Sequence, residues 1–160
     1  MARYGLDRRP GPWTGRHSPG ILRLVLTGLV LGSHPTLAWA AGILLPDDPG
    51  VVKRGAEVYA AHCASCHGKH LEGQPEWRKR GEDNRLPAPP HDETGHTWHH
   101  PDRLLFRMTK YGPSALVRGG YESNMPGFEG VLSDADILAT LSYIKSTWPE
   151  EIRKRHDSTN

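Results

Sequence analysis

The two cysteines of this chain stand one helical turn apart and are followed at once by a histidine, in the run Cys63-Ala64-Ser65-Cys66-His67-Gly68. No other segment constrains the fold as tightly. A structural zinc site needs four ligands, and the chain has no second cysteine pair. A thioredoxin-like redox pair belongs in a βαβ setting, which the helical pattern of this sequence does not offer. A plain disulfide leaves His67 without a role. C-x-x-C-H is also the motif of c-type haem attachment. There each thiol forms a thioether to one haem vinyl group, and the adjoining imidazole projects at the iron. Cys63 and Cys66 are the candidate attachment points, His67 the candidate axial ligand, and one covalent haem c the implied cofactor.

The composition suits a fold organised by a cofactor. Of 160 residues, 18 are Gly and 14 are Pro, and only 36% are apolar. Length predicts one modest domain. The Gly and Pro content predicts abundant loops, and the apolar fraction predicts a core too thin to stand alone. A polytopic membrane protein, a collagen and a disulfide-stapled scaffold are excluded.

Residues 1–23 carry five arginines against one acid, Asp7, and precede the uncharged run Leu24–Gly32 and then Ala38-Trp39-Ala40. A positive region, a short apolar stretch and an A-x-A site read as a secretory signal peptide over residues 1–40. Nine apolar residues are fewer than the about 20 that cross a bilayer. An uncleaved anchor is the alternative, because Ala40–Leu45 is also apolar, although His34-Pro35 interrupts it. Arg8-Arg9 is treated as ordinary leader charge. Without residues 1–40 the balance of +2 becomes −2, from 15 basic and 17 acidic residues. No basic face remains to neutralise phosphates, so nucleic acid is excluded as a partner. Membrane association follows only if the leader is retained.

Residues 41–149 read as an all-α domain. Asp47-Asp48-Pro49 predicts a helix start, with Val51, Gly55, Val58, Tyr59 and His62 on one face. Gly55 has the size to let another helix cross closely. Residues 68–100 are a long polar loop, which a compact domain tolerates if the loop wraps a cofactor. A short helix is predicted over 101–111, with Leu104, Leu105 and Met108 sharing a face and Gly112 stopping it. A loop over 113–132 leads to the clearest helix. Ser133 caps it, Asp136 is its capping-box acid, and Ile137, Leu141, Ile144 and Trp148 form its stripe. Residues 150–160 read as a charged, frayed tail.

The sixth iron ligand must lie elsewhere. Met125, in Asn124-Met125-Pro126-Gly127-Phe128, is on a loop and carries a soft thioether. Met108 shares a helix face with Leu104 and Leu105, and so reads as core. His/Met ligation raises a haem's reduction potential. An open or His-ligated iron is the competing reading.

The stretch from about Asp48 to Trp148 resembles the monohaem class I c-type cytochromes. Gly55 and Tyr59 ahead of Cys63-Ala64-Ser65-Cys66-His67-Gly68 resemble that family's first helix and haem motif. Asn124-Met125-Pro126-Gly127-Phe128 resembles its methionine loop, and Leu132-Ser133-Asp134 through Tyr143-Ile144-Lys145 its closing helix. The resemblance implies a class I fold, with first and last helices crossing near Gly55 and Tyr143 around the haem, and periplasmic electron transfer. In Leu86-Pro87-Ala88-Pro89-Pro90 it also implies a proline carbonyl that accepts the His67 Nδ1–H bond and raises the ring's basicity. Pro87 and Pro89 both fit.

His91-Asp92-Glu93-Thr94-Gly95-His96-Thr97-Trp98-His99-His100 departs from the small respiratory members. Four histidines suit copper or zinc, but Pro101 pushes His100 from helical angles, and His99 and His100 diverge. The favoured reading folds this segment over the haem edge, with Trp98 or a histidine bonding a propionate. The implied function is a soluble electron carrier, or the small subunit of a respiratory or dehydrogenase chain, meeting redox protein partners through a small, weak interface. It is not itself an enzyme. An open-site haem enzyme or gas sensor with His96 as its distal residue is the first competitor. A metal-handling protein that uses the histidine segment is the second.

Overall fold

Helix α1 (Pro49–His62) opens where the acidic cap is predicted: the Asp48 carboxylate accepts from the backbone N–H of Gly50 and Val51 at 2.9 and 3.0 Å, and Pro49 fills the first helical position. This computed structural model describes Gly11, Pro12, Gly15 and residues 42–160. The chain divides into two units, Met1–Thr36 and Leu37–Asn160. The arginine-rich leader and the Ala38-Trp39-Ala40 site lie outside the described residues, apart from the three named. Among the described residues no helix is long and apolar enough to cross a membrane.

The second unit is helical, with no strand among its described residues. After α1 come the single turn α2 (Ala64–His67), a long irregular segment and a 3-10 turn (Thr97–His99). Helices α3 (Asp102–Tyr111), α4 (Pro113–Leu116), α5 (Asp134–Ser146) and α6 (Glu150–Asp157) follow. The predicted helix over 101–111 forms one residue later, because Pro101 is extended and serves as the flanking residue. The predicted loop over 113–132 contains α4.

Helix α5 starts on its predicted capping box. Ser133 Oγ accepts from the Asp136 N–H at 3.1 Å and lies 2.9 Å from the Asp136 carboxylate. Its stripe is buried, with Ile137 fully so. Helix α1 crosses α5 at Gly55, where a Cβ would overlap the Ala139 carbonyl and come within 2.8 Å of Tyr143 Cβ. Only glycine lets two backbones approach that closely. The core is small: Leu44, Tyr59, Leu71, Leu105, Ile137, Leu141, Ile144 and Trp148.

Residues 150–160 depart from the frayed tail expected of them. Helix α6 packs back onto the domain through polar groups. His156 is fully buried, its Nε2 lying 3.1 Å from the His100 carbonyl and 3.2 Å from the carboxylate of Asp102, itself 1% exposed. Lys145, on α5, donates to Asp157 at 2.5 Å, and Arg153 donates to Asp47 at 2.6 Å.

Candidate metal centre

The C-terminal end of α1 delivers the site. Cys63 closes that helix, its N–H bonding the Tyr59 carbonyl at 2.9 Å, and the chain coils on at once into α2. His67 N–H bonds the Cys63 carbonyl at 2.9 Å, so one turn holds both thiols and the imidazole. The thiols are not joined to each other; Cys66 is exposed and Cys63 half-buried. Burial, with the nearby Cys66, pushes the Cys63 thiol up to about 11. It is therefore protonated at neutral pH. Gly68 ends the turn at φ +84°, a backbone angle suited to glycine. Its carbonyl accepts from the Tyr59 hydroxyl at 2.8 Å. Burial raises the Tyr59 phenol, so that hydroxyl stays protonated and donating.

His67 is 6% exposed. Its Nδ1 lies 2.9 Å from the Pro89 carbonyl oxygen. A carbonyl only accepts, so Nδ1 carries the proton and the lone pair stands on Nε2. Of the two candidate prolines, Pro89 is the one that reaches the ring; no hydrogen bond joins Pro87 to it. Burial lowers the His67 pKa, and the Pro89 bond opposes that shift. Two glycines seat the Pro89-Pro90 segment: a Cβ at Gly73 or Gly95 would overlap its backbone. Gly73 N–H also bonds the His67 carbonyl at 2.7 Å, and Gln74 N–H bonds Ala88 at 2.9 Å.

Met125 lies on an irregular segment, half-buried, with its N–H bonded to Ser123 Oγ at 3.1 Å. The loop runs along the end of α3. Phe128 N–H bonds the Thr109 carbonyl at 3.1 Å, Glu129 N–H bonds Lys110 at 2.9 Å, and a Cβ on Gly127 would lie 2.6 Å from the Tyr111 backbone. The Phe128 ring meets His62, on α1, edge-on with centroids 6.3 Å apart. Met108 is half-buried on α3.

One connection was missed by sequence reasoning. Arg85 donates to Glu122 at 3.1 and 3.2 Å and to Asn124 at 2.9 Å, while Asn124 donates to Asp83 at 3.2 Å. The segment that holds His67 through Pro89 thus also ties down the residues just before Met125. Opposite charges 37 positions apart carry no local signal, so sequence alone gave no way to pair them.

The rings of the histidine segment stack on different partners, and within it His96 and His100 meet edge-on with centroids 5.3 Å apart. His91 stacks on His67, His96 on Trp77 with centroids 5.2 Å apart, and His99 on Trp98 at 3.6 Å. His100 is extended before Pro101, as that proline requires, and its carbonyl faces His156. Among the described residues no three His, Cys, Asp or Glu side chains converge to hold a metal ion. Trp98 packs at the edge of the core, and its indole N–H donates to the Glu93 carbonyl at 3.3 Å. Nδ1 of His96 is buried without a hydrogen-bond partner.

The donor chemistry fits a covalently bound haem: two unbridged thiols and an imidazole with its lone pair on Nε2, all on one turn. A family model for cytochrome c matches residues 52–148, which is more than half of the chain. The chain belongs to the cytochrome c family. No solved structure matches it. Membership brings the haem c cofactor and electron transfer as its chemistry, not catalysis of a substrate reaction.

Proposed function

We propose that this protein is a periplasmic electron carrier whose haem iron is held between His67 and Met125, attached through Cys63 and Cys66. The observation that carries this reading is the 2.9 Å bond from His67 Nδ1 to Pro89, which fixes the tautomer an iron ligand requires. When bound, the haem supplies an iron that alternates between ferrous and ferric states. The chain's own residues hold that iron's surroundings constant. Burial keeps the imidazole neutral and the Pro89 bond keeps it aimed, the Arg85 contacts anchor the methionine loop, and α1 and α5 supply the apolar wall. Filled axial positions leave no room for a substrate and permit electron exchange with little rearrangement.

For the haem propionates, the unpartnered buried Nδ1 of His96 supports that residue over Trp98, whose N–H is already engaged. The leader of residues 1–40 supports export to the periplasm and cleavage there. Donor and acceptor proteins meet the carrier through small, transient contacts.

Optical spectra of the purified oxidised and reduced protein, together with its intact mass, test the reading. A c-type haem spectrum with methionine ligation, on a chain heavier by one haem and starting near residue 41, is the expected result. An unmodified polypeptide would overturn it.

A further inference from the structure

His91 lies two residues beyond the proline that anchors His67, and its ring covers a face of the ligand. The two ring centroids are 4.0 Å apart and the planes are inclined by 22°. The rings are stacked, and three bonds hold His91 in place. The His91 N–H donates to the Leu71 carbonyl at 2.7 Å, the Trp148 indole N–H donates to the His91 carbonyl at 2.7 Å, and His91 Nδ1 lies 2.8 Å from Thr97 Oγ1. Tyr59 also meets the His91 ring edge-on, with centroids 6.3 Å apart. Leu71, which receives the His91 N–H, is buried at φ +70°, an angle that bulky residues rarely adopt. The position is therefore pinned from Leu71, from the 3-10 turn and from Trp148 just beyond α5.

The Pro89 bond orients the His67 ring through its edge. A flat partner on the face adds a second, independent restraint on the ring plane. We propose that His91 is a positioning residue for the axial ligand: by stacking on His67 it sets the plane in which that imidazole meets the haem iron. The plane of an axial imidazole decides which iron orbitals its π-system engages, and so how unpaired spin spreads over the porphyrin. One extended segment then controls the ligand twice, through its edge by Pro89 and through its face by His91. The proposal rests on the reading of His67 as an iron ligand.

The test uses the holoprotein, with covalent haem confirmed by mass. His91→Phe keeps a flat face, whereas His91→Gln keeps a polar partner for Thr97 and loses the ring. Haem-methyl proton shifts in the ferric state and the reduction potential are compared with wild type. The Gln variant is expected to change the order or spread of the methyl shifts and to move the potential. The Phe variant is expected to keep the wild-type shift order. A Gln variant matching wild type, or a Phe variant departing as far as Gln, overturns the proposal. In the ferrous wild-type protein, nuclear Overhauser contacts between the two imidazoles are expected, and their absence overturns it without any variant. Wild-type protein carrying no haem would instead sink the ligand assignment on which the proposal stands.

Discussion

The bond from His67 Nδ1 to the Pro89 carbonyl leaves the ring one lone pair, at Nε2, and so decides which atom can bind a metal. The thioether of Met125 has no comparable commitment; it is held only through its backbone and the loop around it. This difference sets what each substitution does. Met125→Ala should leave covalent attachment and His67 in place, lower the reduction potential by a fraction of the roughly 0.8 V that axial ligands span, and open the ferrous iron to carbon monoxide. Potentiometry and a carbon monoxide difference spectrum check it. Ready binding of carbon monoxide by wild type would rule out Met125 as a sixth ligand. Acid sensitivity also belongs to single residues. Burial, and then Lys145, lower the His156 pKa against the opposing pull of Asp102. The native state therefore prefers the neutral ring. Its contribution is complete above the unfolded value of about 6.5 and is lost as pH falls below it. His156→Gln should flatten part of the fall in melting temperature between pH 7.5 and 5.5. A fall of unchanged steepness would mean that His156 is not the titrating group.

At the scale of elements, the crossing of α1 over α5 hangs on Gly55. Alanine there gains about 1 kcal/mol of helix propensity but drives a methyl into the Ala139 carbonyl, and such overpacking costs about 1–3 kcal/mol. The overlap is with backbone, which yields least, so Gly55→Ala should lower the melting temperature by several degrees. Thermal unfolding of the holoprotein measures this; an unchanged midpoint would show that the helices are free to separate. The same contrast between local and distant causes explains what could be read in the sequence. Asp48 and Ser133 cap their helices within three residues of their own positions, and the α5 stripe repeats at helical spacing, so both helices were legible. Helix α6 was not. Ile152 is its only large aliphatic residue, and it docks through a buried histidine beside Asp102, an ion pair to the distant Asp47 and one to Lys145 on the preceding helix. The choice of Pro89 over Pro87 was hidden too, because it depends on the path of an irregular segment between Gly73 and Gly95. The placement of Cys63, Cys66 and His67 on one turn was legible because a five-residue motif carries it.

The whole molecule brings the thinness of its core together with the position of its cofactor residues. Among the described residues eight buried apolar side chains form the central cluster, and Cys63, Ala64 and Trp98 flank it. Three of those eight, Ile137, Leu141 and Ile144, come from α5, and the long segment between α2 and the 3-10 turn adds Leu71 alone. That segment is arranged around His67 rather than around aliphatic packing: Pro89 on one edge, His91 on a face, and the Arg85 contacts reaching toward Met125. Its order should therefore depend on what His67 and the two thiols hold. A small domain with so few buried side chains sits close to the limit of independent stability, and a group that binds only the folded state adds directly to that stability. Cys63→Ala/Cys66→Ala should abolish covalent haem and leave a chain that has lost most of its helical signal by circular dichroism. Haem removed chemically from the wild-type protein should give the same collapse, which separates loss of the cofactor from loss of the sulfurs. A haem-free chain that keeps its helices and melts cooperatively would show instead that α1, α5 and α6 hold one another without the porphyrin.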